Sequence, residues 1–185
     1  MARVLIVGGG CRALGLAREL VEHGHAVRAT TRTEQRRGAI EATGAECWIG
    51  TPDRLGTLRA ALHNVTVVCW LLATASGTPE EVRALHGSRL EFFLSQIIDT
   101  TARGFVYEAP GCEAPGCAPG SESPERTDGA ASVSSVPDDV MAEAVALVRR
   151  MTSLNSIPLR LVDTDPGNAD AWRVGARAAV DSILA

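Results

Sequence analysis

Val4-Leu5-Ile6-Val7 runs straight into Gly8-Gly9-Gly10-Cys11-Arg12-Ala13, and Leu14, Leu16, Ala17, Leu20 and Val21 then recur at helical spacing until Gly24. An apolar strand, a glycine turn and a helix in that order make a cradle for phosphate. The start of the helix offers free N–H groups and the positive end of its dipole to an anion. In the spacing Gly8-x-Gly10-x-x-Ala13, Gly8 makes the tight turn off the strand and Gly10 leaves room for a pyrophosphate. Ala13 lets the helix pack closely on the sheet. Cys11 and Arg12 lie on the same first turn, so the expected phosphate site comprises Gly8, Gly10, Cys11, Arg12 and Ala13.

The end of the next apolar run decides which dinucleotide this is. An acidic residue there would bind a ribose 2′-hydroxyl, whereas arginine would accept a 2′-phosphate. Ala26-Val27-Arg28-Ala29-Thr30-Thr31-Arg32 has no acid at that position. Arg32 stands in its place, Thr31 can donate a hydroxyl, and Arg36 or Arg37 follows one helical turn later. A guanidinium fork suits a phosphate monoester, so the expected cofactor is NADP(H) rather than NAD(H) or FAD.

Other reactive side chains are expected at the carboxyl ends of strands, where ligands bind in open α/β sheets. Leu72, which ends the fourth strand-like run, and Ala73 and Thr74 after it complete the expected cofactor contacts, with Ser76 close behind. Glu108, at the end of the fifth run, is the candidate catalytic acid or base, provided burial raises its pKa toward neutrality. Asp163 and Asp165 pair two carboxylates after the sixth run, but Asp163-Thr164-Asp165-Pro166 also reads as a turn. His23, His25 and His63 fall in connections and have no visible nucleophile or metal partner. No metal site is expected, since beyond Cys112 and Cys117 no second Cys or His pair occurs at zinc spacing.

At 185 residues the chain reads as one domain, too short for a dinucleotide unit with a separate substrate domain. Its 18 basic and 22 acidic residues leave a net charge of −4, and no basic stripe extends beyond the local arginines, which argues against nucleic acid as a partner. No apolar run is long enough to span a membrane, and Met1 to Val7 is too short for a signal-peptide core, so a cytoplasmic protein is expected. Every basic residue is arginine; without lysine there is no Schiff base and no lysine-assisted proton relay. The cysteines at 11, 47, 69, 112 and 117 form no disulfide framework. Cys47 and Cys69 read as buried apolar residues, and Cys112 and Cys117 as products of a tandem repeat, Glu108-Ala109-Pro110-Gly111-Cys112 followed by Glu113-Ala114-Pro115-Gly116-Cys117.

The elements that must position these residues alternate. Strands are predicted at Arg3 to Val7, Ala26 to Thr31, Glu46 to Ile49, Thr66 to Leu72, Phe105 to Glu108 and Leu159 to Asp163, with helices between them. That alternation predicts an α/β fold, a single doubly wound Rossmann domain with about six parallel strands in order 3-2-1-4-5-6. Ser88 and Glu91 read as a capping box for a helix whose inner face is Leu90, Phe93, Leu94, Ile97 and Ile98. Pro137-Asp138-Asp139 opens a helix running to about Leu154. Asn168 or Asp170 caps a last helix with Trp172, Ala176, Ala179 and Ile183 inward. Residues 109–136, rich in proline, glycine and serine, are expected to form a mobile loop beside the ligand crevice, either a lid or an inert insertion.

The glycine opening, the Thr31-Arg32 strand end and Arg103-Gly104-Phe105-Val106-Tyr107 together resemble the atypical and extended branches of the short-chain dehydrogenase/reductase superfamily. The resemblance implies a Rossmann fold that binds NAD(P)(H), in an epimerase, dehydratase, reductase or a regulator that holds the dinucleotide without turning it over. The family's usual proton relay, Tyr-x-x-x-Lys, is absent: there is no lysine, and the only tyrosine, Tyr107, lies on a strand. Two functions follow. One is an NADP(H)-dependent oxidoreductase or epimerase-like enzyme acting on a small-molecule substrate with a substitute for that relay. The other is a non-catalytic NADP(H)-binding redox sensor or partner subunit. A homo-oligomer could complete a substrate pocket from a neighbouring copy. The helix start would also accept another phosphate ligand, such as a nucleotide sugar or coenzyme A.

Overall fold

Parallel strands buried on both faces need apolar side chains on alternate sides, and Val4 to Val7 supply them. In the computed structural model, which describes residues 1–111 and 136–185, all four are fully buried. They belong to β1 (Arg3–Gly8), which is followed by α1 (Gly10–Glu22), β2 (Ala26–Thr31), a 3₁₀ turn at Glu34–Arg36, α2 (Arg37–Glu41) and β3 (Glu46–Ile49). The chain continues through α3 (Gly56–Arg59), β4 (Val67–Leu71), α4 (Pro79–His86), α5 (Ser88–Ile98), β5 (Gly104–Glu108), α6 (Asp138–Leu154), β6 (Leu159–Val162) and α7 (Ala169–Leu184). The six strands form one parallel sheet in the order β3-β2-β1-β4-β5-β6. The predicted strand ends match the observed ones to within one residue.

Alternation divides the core in two. Val4 and Ile6 face a layer built by α1, α2 and α7, with Leu16, Leu20, Ile40, Trp172, Ala176 and Val180. Leu5 and Val7 face the layer of α3 to α6, with Leu58, Val82, Phe93, Met141 and Val145. Helix α7 packs tightly at both ends. Gly104 gives way to Ile183, and Arg173 pairs with Glu19 of α1 at 2.5 Å.

Two details of the expected helices are corrected, and one alternative is decided. The capping box lies at Thr78 and Glu81, where the Thr78 hydroxyl accepts the Glu81 N–H and the Glu81 carboxylate accepts the Thr78 N–H. Ser88 and Glu91 form none, because α5 follows α4 through Gly87 with no extended residue before Ser88 to act as a cap. A Cβ at Gly87 would lie 2.8 Å from the Arg83 carbonyl, so the close helix-to-helix bend depends on glycine. Ile98, the last residue of α5, is 42% exposed: it lies a turn beyond Leu94, past the end of the buried face. The last helix is capped by Asn168, which accepts the Ala171 N–H.

Most of the expected loop at 109–136 lies outside the described residues, as do Cys112 and Cys117. Its described ends are anchored: Ala109 and Val136 are buried, and the Ala109 N–H donates to the Val162 carbonyl. Asp165 accepts the Gly167 N–H at 2.7 Å in the turn after β6. Cys47 and Cys69 are buried, and burial pushes the Cys69 thiol up to about 12.

Gly8 is constrained both by its backbone angle and by its neighbours. Its φ is +87°, and a Cβ there would run into the Leu72 side chain and lie 2.5 Å from the Leu71 carbonyl. Gly8→Ala should therefore lower unfolding free energy by about 2–4 kcal/mol, combining left-handed strain with overpacking. Urea denaturation measures it; a loss below ~0.5 kcal/mol would mean that the turn relaxes freely.

Candidate functional site

Because the chain winds outward from β1 in both directions, a crevice opens at the carboxyl edge where β1 lies between β2 and β4. A cleft of about 490 Å³ fills that position. The glycine turn forms its floor: Gly8, Gly9 and Gly10 have φ of +87°, +79° and +55° in succession. A Cβ on Gly9 would lie 2.7 Å from the Ala13 Cβ, whereas one on Gly10 would meet nothing within 4 Å. Gly9 is thus required for packing α1 against its own turn, and Gly10 is the residue that faces open space. The first helical acceptor bond inside α1 is Ala13 N–H to the Gly9 carbonyl, which leaves the preceding N–H groups of the turn directed out of the helix end.

Of the expected cofactor contacts, Gly8, Gly10, Ala13, Thr31, Arg32, Arg36, Leu72 and Thr74 line this cleft. Cys11, Arg12 and Ala73 do not. Cys11 is exposed at the mouth, with the Arg36 Nη2 at 3.6 Å from its sulfur. Ala73 is buried behind the wall, and Arg12 turns under the floor. The cleft also takes in residues that the sequence reading passed over: Gly9, the loop Gly50 to Asp53, and Glu81, Val82, Leu85 and Arg89 across from it. Asp53 and Arg89 pair at 2.6 Å, joining the loop after β3 to α5. These two residues are 36 apart in sequence and carry no shared motif.

The arginines around β2 separate by their partners. Arg28 is buried and donates to Glu46 and to the Ala61 carbonyl, with its guanidinium over the Trp48 ring. Arg37 is held by Glu34 at 2.6 Å and Glu41 at 3.3 Å. Arg32 and Arg36 have no carboxylate within ion-pairing distance among the described residues, and both face the cleft.

Under the floor lies a buried ionic cluster. Glu108 is fully buried, on the same side of the sheet as Val106 and α7. Its Oε1 accepts the Trp172 indole N–H at 2.7 Å and faces Arg12 Nη2 at 3.1 Å, while Oε2 accepts the Ala73 N–H at 2.9 Å. The Arg12 guanidinium lies 4.6 Å from the Trp172 ring centroid and donates from Nη2 to the Thr74 hydroxyl at 3.0 Å. Burial pushes the Glu108 carboxyl above the usual range, against the opposing pull of Arg12 and the two N–H donors. Glu108 does not line the cleft.

On the other face, the sole tyrosine is equally inaccessible. Tyr107 is fully buried, and its hydroxyl lies 2.6 Å from His86 Nδ1. His86 Nε2 lies 3.3 Å from the Leu72 carbonyl, an acceptor only, so Nε2 carries the proton and Nδ1 accepts from Tyr107. No sequence pattern marked His86, because its neighbours give it an ordinary position on the inner side of α4.

No protein-family model and no curated protein matches this chain. Solved structures do. UDP-glucose 4-epimerase from Thermotoga maritima superposes with a TM-score of 0.64 at 15% identity, covering 87% of this chain and 54% of its own. A short-chain dehydrogenase/reductase superfamily protein from Agrobacterium tumefaciens, solved with NAD, gives 0.62 at 19%, covering 87% and 48%. The Citrobacter triphenylmethane reductase, solved with NADP(H), gives 0.58 at 11%, covering 88% and 49%. The fold is therefore the one these structures share, and this chain spans about half the length of each of the three.

Burial lowers His86 to about 4, below the 6.5 of an exposed imidazole. The unfolded chain then binds the extra proton between those values, so stability is fully present above pH 6.5 and is lost as pH falls toward 4. Between pH 7 and pH 5 this group should remove on the order of 1–2 kcal/mol, a loss that His86→Gln should lack. Urea titrations of both proteins at the two pH values measure the difference; equal losses would show that His86 does not carry it.

Proposed function

We propose that the cleft binds NADP(H), with the pyrophosphate over the glycine turn and the 2′-phosphate between Arg32 and Arg36. The observation that carries this reading is the pair of arginines just past the end of β2 that face the cleft without a carboxylate partner; Ala26 to Arg32 holds no acid to receive a 2′-hydroxyl, and the one acid between the arginines, Glu34, is paired with Arg37. The open space beyond Gly10 fits a phosphate group, because a side chain there would occupy the cleft and not the core. Gly8, Ala13, Thr31, Leu72 and Thr74 would hold the ligand from the walls. Cys11 and Arg12 would contribute backbone N–H groups at the start of α1.

Bound there, the cofactor supplies a hydride, and the protein supplies binding, orientation and charge. The functional class that fits is an atypical oxidoreductase or epimerase-like protein working on a small-molecule substrate without a Tyr-x-x-x-Lys relay. The short-chain fold and the wide cleft support it. A second reading, a non-catalytic NADP(H)-binding sensor or partner subunit, is favoured by two observations. Tyr107 is committed to His86, and Glu108, the candidate acid or base, is committed to Arg12, Trp172 and Ala73 beneath the floor. In a homo-oligomer, a neighbouring copy would supply the substrate side. We place the protein in the cytoplasm; among the described residues no helix is long and apolar enough to cross a membrane.

NADPH should bind more tightly than NADH, and Arg32→Ala should narrow the gap by about 1.5–3 kcal/mol, the worth of hydrogen bonds to a charged group. Calorimetry at matched salt measures both ligands. Equal affinities in the parent protein would remove the NADP(H) assignment, and an unchanged preference in Arg32→Ala would move the role to Arg36. NADPH oxidation against a carbonyl and enone panel then separates the two classes: tight binding with no turnover supports the sensor.

A further inference from the structure

We propose that Glu108 is a positioning residue that acts through Arg12 to make the Thr74 hydroxyl a hydrogen-bond donor to the nicotinamide-riboside half of the dinucleotide. The proposal rests on the NADP(H) reading above and concerns a different part of the cleft. Sheet order sets the geography. Arg32 follows β2 on one side of β1, and Thr74 follows β4 on the other, with the glycine turn between them. A dinucleotide whose 2′-phosphate sits by Arg32 and whose pyrophosphate crosses the turn must place its second riboside on the β4 side.

The chain of contacts fixes the direction of the Thr74 hydroxyl. Arg12 Nη2 has two hydrogens and two acceptors, Glu108 Oε1 at 3.1 Å and Thr74 Oγ1 at 3.0 Å. A guanidinium has no acceptor, so Thr74 receives in that contact and its own hydrogen must point elsewhere. Among the described residues it has no acceptor of its own, and Thr74 lines the cleft. Accepting from a cation polarises the hydroxyl and strengthens it as a donor. Arg12 cannot swing away to release it, because the buried Glu108 carboxylate anchors the same nitrogen and Trp172 stacks on the guanidinium. The carboxylate itself never reaches the cleft, which is why its effect on the ligand passes through two other side chains.

Calorimetry on the full chain with two probes tests this. NADPH spans both sides of the turn, while 2′,5′-ADP ends at the turn and leaves the β4 side empty. Thr74→Val should weaken NADPH about five- to tenfold, the worth of one hydrogen bond, and leave 2′,5′-ADP unchanged. Thr74→Ser should restore NADPH binding. Glu108→Gln should weaken NADPH by a similar factor without touching 2′,5′-ADP, and adding Thr74→Val to it should cost little more, since both act through one hydroxyl. Thr74 is only partly buried, so its variants remain informative should Glu108→Gln fail to fold. Equal weakening of both probes would make the cluster a mere support for the turn and overturn the proposal. NADPH binding unchanged in Thr74→Val would overturn it too while leaving the NADP(H) reading intact. A parent protein that binds neither probe would sink both.

Discussion

A carboxylate with no solvent contact dictates much of this molecule. Leaving Glu108 charged and unpaired beneath the sheet edge would cost several kcal/mol, so each donor around it is under obligation. Those donors come from three places: Arg12 in the first turn of α1, the Ala73 N–H just past β4, and the Trp172 indole on α7; Arg12 in turn donates to the Thr74 hydroxyl. The cluster therefore ties together the elements whose ends make the cleft. It also relieves a local conflict, because Arg12 places a cation at the positive end of the α1 dipole, in a first turn that contains no acid.

Charge pairing elsewhere follows the same logic and leaves a pattern that bears on ligand choice. Arg28 and Arg37 neutralise glutamates, and Arg89 answers Asp53 across the cleft. Arg32 and Arg36 lack such a carboxylate among the described residues. Positive charge is thus concentrated at one end of the cleft, where a 2′-phosphate would lie, while across from it Arg89 is paired with Asp53 and Glu81 adds a carboxylate. A ligand with phosphate at one side and a neutral or weakly charged group at the other matches that asymmetry.

The catalytic question turns on burial. Reactive side chains at a strand's carboxyl end can serve chemistry only when their atoms reach the crevice, and here the pleat sends Tyr107 into one core layer and Glu108 into the other. Both are saturated with internal partners.

Local patterns determined the architecture. Runs such as Val4 to Val7 and Val67 to Leu71 are continuous and apolar because strands in a parallel sheet bury both faces, and that signal needs no distant contact to be read. The glycine turn was legible for the same reason: positive φ and close packing are properties of a short segment, and only glycine tolerates them. Gly9 alone was undervalued, its constraint arising from Ala13 one helical turn away. What the sequence could not convey was which side chains meet. Arg12 and Thr74 are 62 residues apart and Glu108 and Trp172 are 64, Arg12 reaches Glu108 and Trp172 over still longer separations, and no spacing rule links them. Whether Arg12 points to a ligand or to a buried acid, whether Arg32 is free and Arg37 occupied, and whether Glu108 faces solvent or the core are decided by the register of the sheet and the docking of α7. Those depend on the summed packing of the whole domain and not on any one segment of it.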